Sequence, residues 1–303
     1  MKIILLYTCM VRVLFKMFCN HPLSGFLGIP AFIRFSKWQI LSRLVKKSFT
    51  HKWINGTKFL VTNGESGLTG NIYVGLHEFN DMGFLLHVLK PEDLFVDIGS
   101  NSGSYTILAS GVVRARTISI EPVPSTFLRL IANVELNAIE SLVEAKNIGI
   151  SSKKGIMHVT IDSDTTNHLI AIRTTEISIP VEVQTLDEVC LEQTPTLIKI
   201  DVEGWEKEVL LGGMSTLAKP TLLAVILEIN GNAEKLGTRD SEMLDHLAEF
   251  GFHPYSYDPI SRILSKLTSR NYSSGNTIFI RNLEEVLLRV SNANVQKVLG
   301  KFI

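Results

Sequence analysis

The feature that most constrains this chain is the compact apolar run Leu94 to Ile98, which leads into Asp97-Ile98-Gly99-Ser100-Asn101-Ser102-Gly103-Ser104-Tyr105 and then into a helical stretch over Tyr105 to Ala109. An apolar run of that length, closed by a glycine-rich turn, reads as a strand buried on both faces. The pattern recurs. Thr117 to Ile120, Val143 to Ile150, Thr196 to Ile200 and Leu222 to Ile229 are further strand candidates, the last closed by Asn230-Gly231. Phe127, Leu130, Ile131 and Val134 share one helical face between two of them, and Trp205 to Leu211 supplies another helix. Strands separated by helices of this length imply an α/β fold with a mostly parallel sheet, right-handed crossovers and helices on both faces. Phe252 to Tyr257 and Asn276 to Arg281 are placed to close the sheet as a terminal pair. Ligands of such a sheet bind at the carboxyl ends of its strands.

The flanks have a different texture. From Met1 to about Thr50, apolar residues are broken by single bases, with His21-Pro22 and Gly28-Ile29-Pro30 marking breaks between short helices. The run Ile3 to Val11 after Lys2 resembles a short signal-peptide core, but Arg12 and Lys16 interrupt it and no small-x-small cleavage site follows. It is also far below the roughly 18 residues that a spanning helix needs. A packed helix is expected, with membrane contact by this segment ranked behind packing. From Phe59 to Val74 the punctuation Asn63-Gly64, Ser66-Gly67 and Thr69-Gly70-Asn71 predicts a small β element. The division expected is a helical extension over 1–55 and one domain over 56–303. Between Thr160 and Val183 a polar stretch, Asp162 to His168, interrupts two β-like runs and reads as an insertion suited to a substrate lid.

Composition removes several classes. With 45% hydrophobic and 20% charged residues the chain is globular, and 30 basic against 30 acidic residues argue against a nucleic-acid partner. Cys9, Cys19 and Cys190 have no zinc-ligand spacing and are odd in number, so a reducing, cytoplasmic setting is expected. The sequence is silent on oligomeric state.

Three segments carry chemistry. In the glycine turn, Gly99 and Gly103 let the backbone pass close to a ligand, and amides at the helix start favour a carboxylate or phosphate. Asp97 adds a carboxylate that suits a ligand with an ammonium group and repels a pyrophosphate. Asn101 stands where a dinucleotide fingerprint has its middle glycine. Glu121 ends the next strand, 18 residues beyond Gly103, where an acid can accept both hydroxyls of an adenosine ribose. In Leu197-Ile198-Lys199-Ile200-Asp201-Val202-Glu203-Gly204, Lys199 on a doubly buried strand needs a partner, which Asp201 or Glu203 can supply. A structural ion pair at a helix start accounts for the same residues. Glu78 and Asp81 either close over the ligand or are solvated helix acids.

Together these segments resemble the FkbM-type methyltransferase family. The resemblance runs from Gly75-Leu76-His77-Glu78-Phe79-Asn80-Asp81-Met82 through the glycine turn, Glu121-Pro122 and Asn133-Val134-Glu135-Leu136-Asn137 to Lys199-Ile200-Asp201-Val202-Glu203-Gly204 and Leu227-Glu228-Ile229. About two thirds of the chain is covered. It implies a class I methyltransferase fold, Rossmann-like, with a seven-stranded mostly parallel sheet, S-adenosylmethionine at its carboxyl edge, and O-methylation of a hydroxyl on a small molecule or glycan. The cofactor residues it implies are Asp97, Gly99, Ser100, Asn101, Gly103 and Tyr105 around the turn and Glu121 for the ribose. Over 147–151, Asn147, Ser151 and main-chain groups are what the sequence offers to the adenine, with Asn147 the side chain taken as the contact. Asp201 and Glu203 are the first candidates for a general base, His168 the second. No metal is expected, although Asp201 with Glu203 leaves a divalent ion open. A nicotinamide-dependent oxidoreductase and a non-catalytic adenosine-binding module remain as alternatives.

Overall fold

The computed structural model describes residues 18–44, 48–62, 66–160, 169–170, 178–232 and 239–303. Helix α1 (Ile29–Leu44) begins where Gly28 and Pro30 break the chain, and a hairpin of β1 (Phe49–Lys52) and β2 (Lys58–Val61) follows. The hairpin turns at Asn55-Gly56, at φ 50° and 82°, a left-handed geometry that asparagine and glycine tolerate best. The small β element therefore lies earlier than the expected Phe59–Val74. Only β2 falls in that range, residues 63–65 lie outside the described residues, and Ser66–Val74 is helix α2. From Leu68 to Val74 this helix is buried throughout, and a Cβ on Gly70 would lie 2.6 Å from the His77 ring. Gly70 thus serves close packing and not a turn, and burial overrides its poor helix propensity. Phe18, Ala31 and Trp38 share a core with Phe59, Tyr73 and Ile107, so the N-terminal region packs directly on the rest of the chain.

Helix α3 (Phe79–Val88) leads to β3 (Leu94–Ile98). One turn of α4 (Ser104–Thr106) widens into a π-helix over Ile107–Val113, then come β4 (Arg116–Ile120), α5 (Pro124–Leu136) and β5 (Val143–Lys146). The insertion forms its own sheet, in the order β6 (Gly149–Ile150), β9 (Ser178–Gln184), β7 (Gly155–Thr160), β8 (Leu169–Ile170). After α6 (Leu186–Val189) the chain returns as β10 (Leu197–Ile200), α7 (Glu206–Leu211), α8 (Met214–Leu217) and β11 (Ala224–Glu228). It ends with α9 (Asp240–Glu249), β12 (His253–Asp258), β13 (Ile263–Lys266), β14 (Asn276–Ile280), α10 (Leu283–Asn292) and a hairpin of β15 (Lys297–Val298) and β16 (Lys301–Phe302).

The central sheet has the order β13-β12-β14-β11-β10-β3-β4-β5. The five strands from β11 to β5 are parallel, and the pairings of β14 with β11, β12 with β14 and β13 with β12 are antiparallel. The seven strands expected are present, with β13 added to the edge as a hairpin on β12. Because strand residues alternate between faces, Phe95, Leu197, Ala224 and Ile278 pack under α3 and α10, whereas Val96, Ile198, Val225 and Phe279 pack under α7, α8 and α9. This double burial explains the unbroken apolar runs. It also makes each charged residue near a strand end conspicuous.

Candidate cofactor and acceptor site

Between β3 and β10 the strand order reverses direction, and the crevice outside their carboxyl ends is where such sheets bind ligands. A cavity of about 330 Å³ opens there, with Asp97, Gly99, Glu121, Lys199, Asp201 and Glu228 on its walls. The insertion sheet contributes Gly149, Ile150 and Val159, and the start of α3 contributes Glu78.

The β3 turn is fixed from both sides. Gly99 has φ 79°, and a Cβ there would lie 1.7 Å from the Asp201 carbonyl oxygen, so only glycine lets the β3 and β10 turns cross. Asn101 is left-handed at φ 49°, and its side-chain oxygen accepts from the Ser102 amide at 2.7 Å. The amides of Gly99 and Ser100 donate to the Ile120 carbonyl, each at 3.0 Å, and that of Gly103 to the Ser100 carbonyl at 2.9 Å. The Asn101 amide donates to Glu121 Oε2 at 3.0 Å. All five amides of the turn are therefore occupied within the protein. The amides left for an anion belong to the helical turn that follows, whose first N–H groups have no partner within the helix.

Glu121, 6% exposed, accepts from the Val123 amide through Oε1 at 2.9 Å and from Asn101 through Oε2. Burial outweighs those hydrogen bonds and pushes its carboxyl up to about 7. Asp97 is 1% exposed and accepts from Thr106 Oγ1 at 2.8 Å. Burial raises it to about 6, opposed by the nearby Lys199 ammonium. The parallel register sets Lys199 directly opposite Asp97. Lys199 is 3% exposed, and its Nζ lies 2.5 Å from Asp201 Oδ2 and 4.6 Å from the Tyr105 ring centroid. Burial opposes its charge, but Asp201, Glu78 and Asp97 hold the ammonium protonated well above the ordinary range. Tyr105 is buried against these same acids, and burial followed by the charge of Glu78 drives its hydroxyl upward.

At the far end of the cavity stand Asp201, Glu203 and Glu228, each with an oxygen within 4.8 Å of the others. Glu203 sits at φ 53° and accepts from Asn232 Nδ2 at 3.0 Å. Burial, then the charges of Asp201 and Glu206, push it up to about 7. Glu206 ties that turn down, taking the Gly204 amide at 2.9 Å. Glu228 accepts from Asn230 through Oε1 at 2.9 Å, while its Oε2 is buried with no hydrogen-bond partner among the described residues. Burial, Asp201 and Glu203 push it up to about 10.

The sequence-selected residues thus converge unevenly. Asp97, Gly99, Ser100, Asn101, Tyr105, Glu121, Asp201 and Glu203 line the cavity. Gly103 instead starts α4 at φ 89°, packed against Leu130. Asn147 spends its amide on the carbonyls of Glu121 and Pro122, at 2.8 and 3.0 Å, and is not on the cavity wall. His168 lies outside the described residues. Glu78 is bonded by Asn276 Nδ2 at 2.7 Å at the cavity edge. Asp81 behind it is 2% exposed, so neither of the two is a freely solvated helix acid. Sequence reasoning misses Glu228 as a site residue. The signal was the one that marked Glu121, an acid closing an apolar strand.

Comparison with known proteins matches residues 97–254 to the methyltransferase FkbM domain. The hexuronic acid methyltransferase AglP of Haloferax volcanii is 30% identical over 153 residues, half of this chain and 61% of that protein. The chain thus spans about three fifths of the curated relative it matches. Among solved structures, P. horikoshii TYW2 in complex with MeSAdo aligns at a TM-score of 0.40 and 16% identity over 83% of this chain and 81% of that one. M. jannaschii TYW2 in complex with AdoMet aligns at 0.40 and 13% identity over 78% and 88%. Both likenesses are distant, and neither bears on what this chain binds. The domain match spans more than half of the chain and takes in the β3 turn, Glu121 and the Asp201–Glu228 cluster, and the chain belongs to the FkbM-domain methyltransferase family.

Proposed function

We propose that the chain is an S-adenosylmethionine-dependent methyltransferase whose acceptor is a hydroxyl of a glycan or small molecule. The observation that carries this reading is the Glu121 carboxylate. Two main-chain amides hold it, one per oxygen, and each oxygen keeps a lone pair for a further donor. A ribose offers two such donors side by side. Asp97, one strand over, is an acid suited to an ammonium group. The donor set therefore fits the cofactor. It fits a nicotinamide dinucleotide poorly, since the Asp97 carboxyl stands beside the turn where a pyrophosphate would lie and Asn101 takes the place of the fingerprint's middle glycine.

When bound, S-adenosylmethionine supplies a methyl group already activated on a sulfonium, so the chain's own residues chiefly orient and desolvate the reactants. A hydroxyl acceptor must also surrender its proton. Glu203 is the best-placed base: it lines the cavity and its carboxyl is raised to about 7, where a base is both deprotonated and still able to take a proton near neutral pH. Asp201 is tied to Lys199 Nζ at 2.5 Å and so is less free to take up an acceptor proton. The matched relative is named for a hexuronic acid, which supports a sugar-type acceptor.

Calorimetric titration with S-adenosylhomocysteine and, separately, with NAD tests the class. Micromolar binding of the first alone is expected. Binding of NAD alone would overturn the reading. A non-catalytic module would bind the first probe yet transfer no labelled methyl group to any of a panel of sugars and hydroxylated small molecules.

A further inference from the structure

The balanced total charge conceals a lopsided distribution. Residues 1–64 contain ten lysine and arginine side chains and no aspartate or glutamate; the first acid is Glu65. Within that stretch α1 is apolar on two opposite sides. Ala31, Trp38 and Ser42 point into the protein. Across the helix, Ile29, Phe32, Ile33, Ile40, Leu41 and Leu44 recur at helical spacing and are 42–76% exposed. Lys37 and Arg43 are exposed on that outer side. One apolar stripe is explained by packing; a second one facing solvent is not.

The C-terminal hairpin is fastened to the same region. Lys301 Nζ donates to the Pro22 carbonyl at 2.5 Å, while Leu299 and Phe302 stay 46% and 63% exposed. Exposed apolar side chains with bases among them recur on both elements, and neither residues 29–44 nor residues 297–303 include an aspartate or glutamate. Among the described residues no helix is long and apolar enough to cross a membrane.

We propose that this face docks on an anionic phospholipid surface, lying in the interface without crossing it. The bulky apolar residues gain by entering the headgroup boundary. The bases are attracted by the lipid phosphates, and the absence of acids removes the repulsion such a surface would otherwise meet. A phosphate-tracking nucleic-acid surface would need the bases but not the isoleucines and phenylalanine. The inference concerns the N-terminal region and stands or falls independently of the methyltransferase reading.

The test is cosedimentation of the full chain with vesicles of phosphatidylcholine, alone or mixed with phosphatidylglycerol. Binding to the anionic vesicles is expected to exceed binding to the neutral ones by about tenfold or more at low salt and to weaken as salt screens the charges. Ile33→Ser with Ile40→Ser, and separately Lys37→Glu with Arg43→Glu, should each lower binding by roughly tenfold. Both double variants alter exposed side chains, so the unfolding midpoint should not move. Equal binding to both vesicle types, or none, overturns the proposal. Wild-type binding that survives both double variants assigns it to other residues and overturns it as well. A dimer broken by the isoleucine changes without vesicle binding would give the face to a second copy. Retention on RNA, lost only with the charge changes, would give it to nucleic acid.

Discussion

The two ends of the cavity treat their acids differently. At the β3–β4 end, Glu121 has both oxygens held by main-chain amides and Asp97 is held by Thr106 and faces Lys199. At the β10–β11 end, Glu203 accepts from the Asn232 side chain, and Glu228 keeps one buried oxygen without a hydrogen-bond partner among the described residues. The first end is finished before any ligand arrives, as a site for an invariant cofactor should be. Burial raises Glu121 and Glu203 alike to about 7, but only Glu121 has main-chain amides on both oxygens, and Glu228, pushed up to about 10, stays protonated near neutral pH. A preorganised acid on one side and a less tightly held one on the other are what a methyl transfer coupled to proton removal would use.

Lys199 joins the two ends, and removing it should have the largest effect. Lys199→Met leaves Asp201 and the buried Asp97 without their cation and should lower stability by about 3–5 kcal/mol in urea unfolding; a change near zero would show that the ends are electrostatically independent. Glu203→Gln acts on the unfinished end alone. It should cut kcat by about a hundredfold or more with cofactor affinity preserved. In the wild type, kcat should rise as pH passes upward through about 7, because the base works deprotonated, and the variant should lose that rise. An unaltered pH profile would remove Glu203 from the role. Glu121→Ala acts on the finished end: S-adenosylhomocysteine affinity should fall between about tenfold and a hundredfold, read by calorimetry. Unchanged affinity would sever the ribose assignment.

Much of this contrast is legible in the sequence, and the exceptions share a cause. Asp97, Glu121 and Asp201 stand out because doubly buried strands are almost wholly apolar, so an acid near a strand end has to be at the sheet's rim. Glu228 obeys the same rule, closing an almost wholly apolar strand just before Asn230-Gly231. Asn55-Gly56 makes the hairpin turn, while Gly70, in similar punctuation, packs against His77 inside a helix. Local spacing does not separate a glycine needed for φ from one needed for close approach. Nor could spacing show that the amides of the turn from Gly99 to Gly103 are already occupied, since their acceptors are Ile120 and Glu121 on the next strand as well as Ser100 and Asn101. Asn147 fails for a related reason: its amide is spent on neighbouring carbonyls rather than on a ligand. The N-terminal charge excess escapes a whole-chain total, in which it is cancelled by the acids of the remainder.

The smallest expected effect is also the sharpest test of what the unfinished end is for. Asp201, Glu203 and Glu228 lie close enough to share one divalent ion, and an ion there would complete that end much as the main-chain amides complete the other. Yet such an ion must displace protons from the acids it binds, and Glu228 is pushed up to about 10 and Glu203 to about 7. The Lys199 ammonium already lies 2.5 Å from Asp201. Displacement at a sulfonium-bound methyl group needs no polarised carbonyl or phosphoryl oxygen for a metal to act on. Exhaustive chelation is therefore expected to leave kcat unchanged at neutral pH. Loss of activity restored by magnesium would mean that the acceptor hydroxyl is held and acidified by a cation, and that the free oxygen of Glu228 is a ligand position and not a proton site.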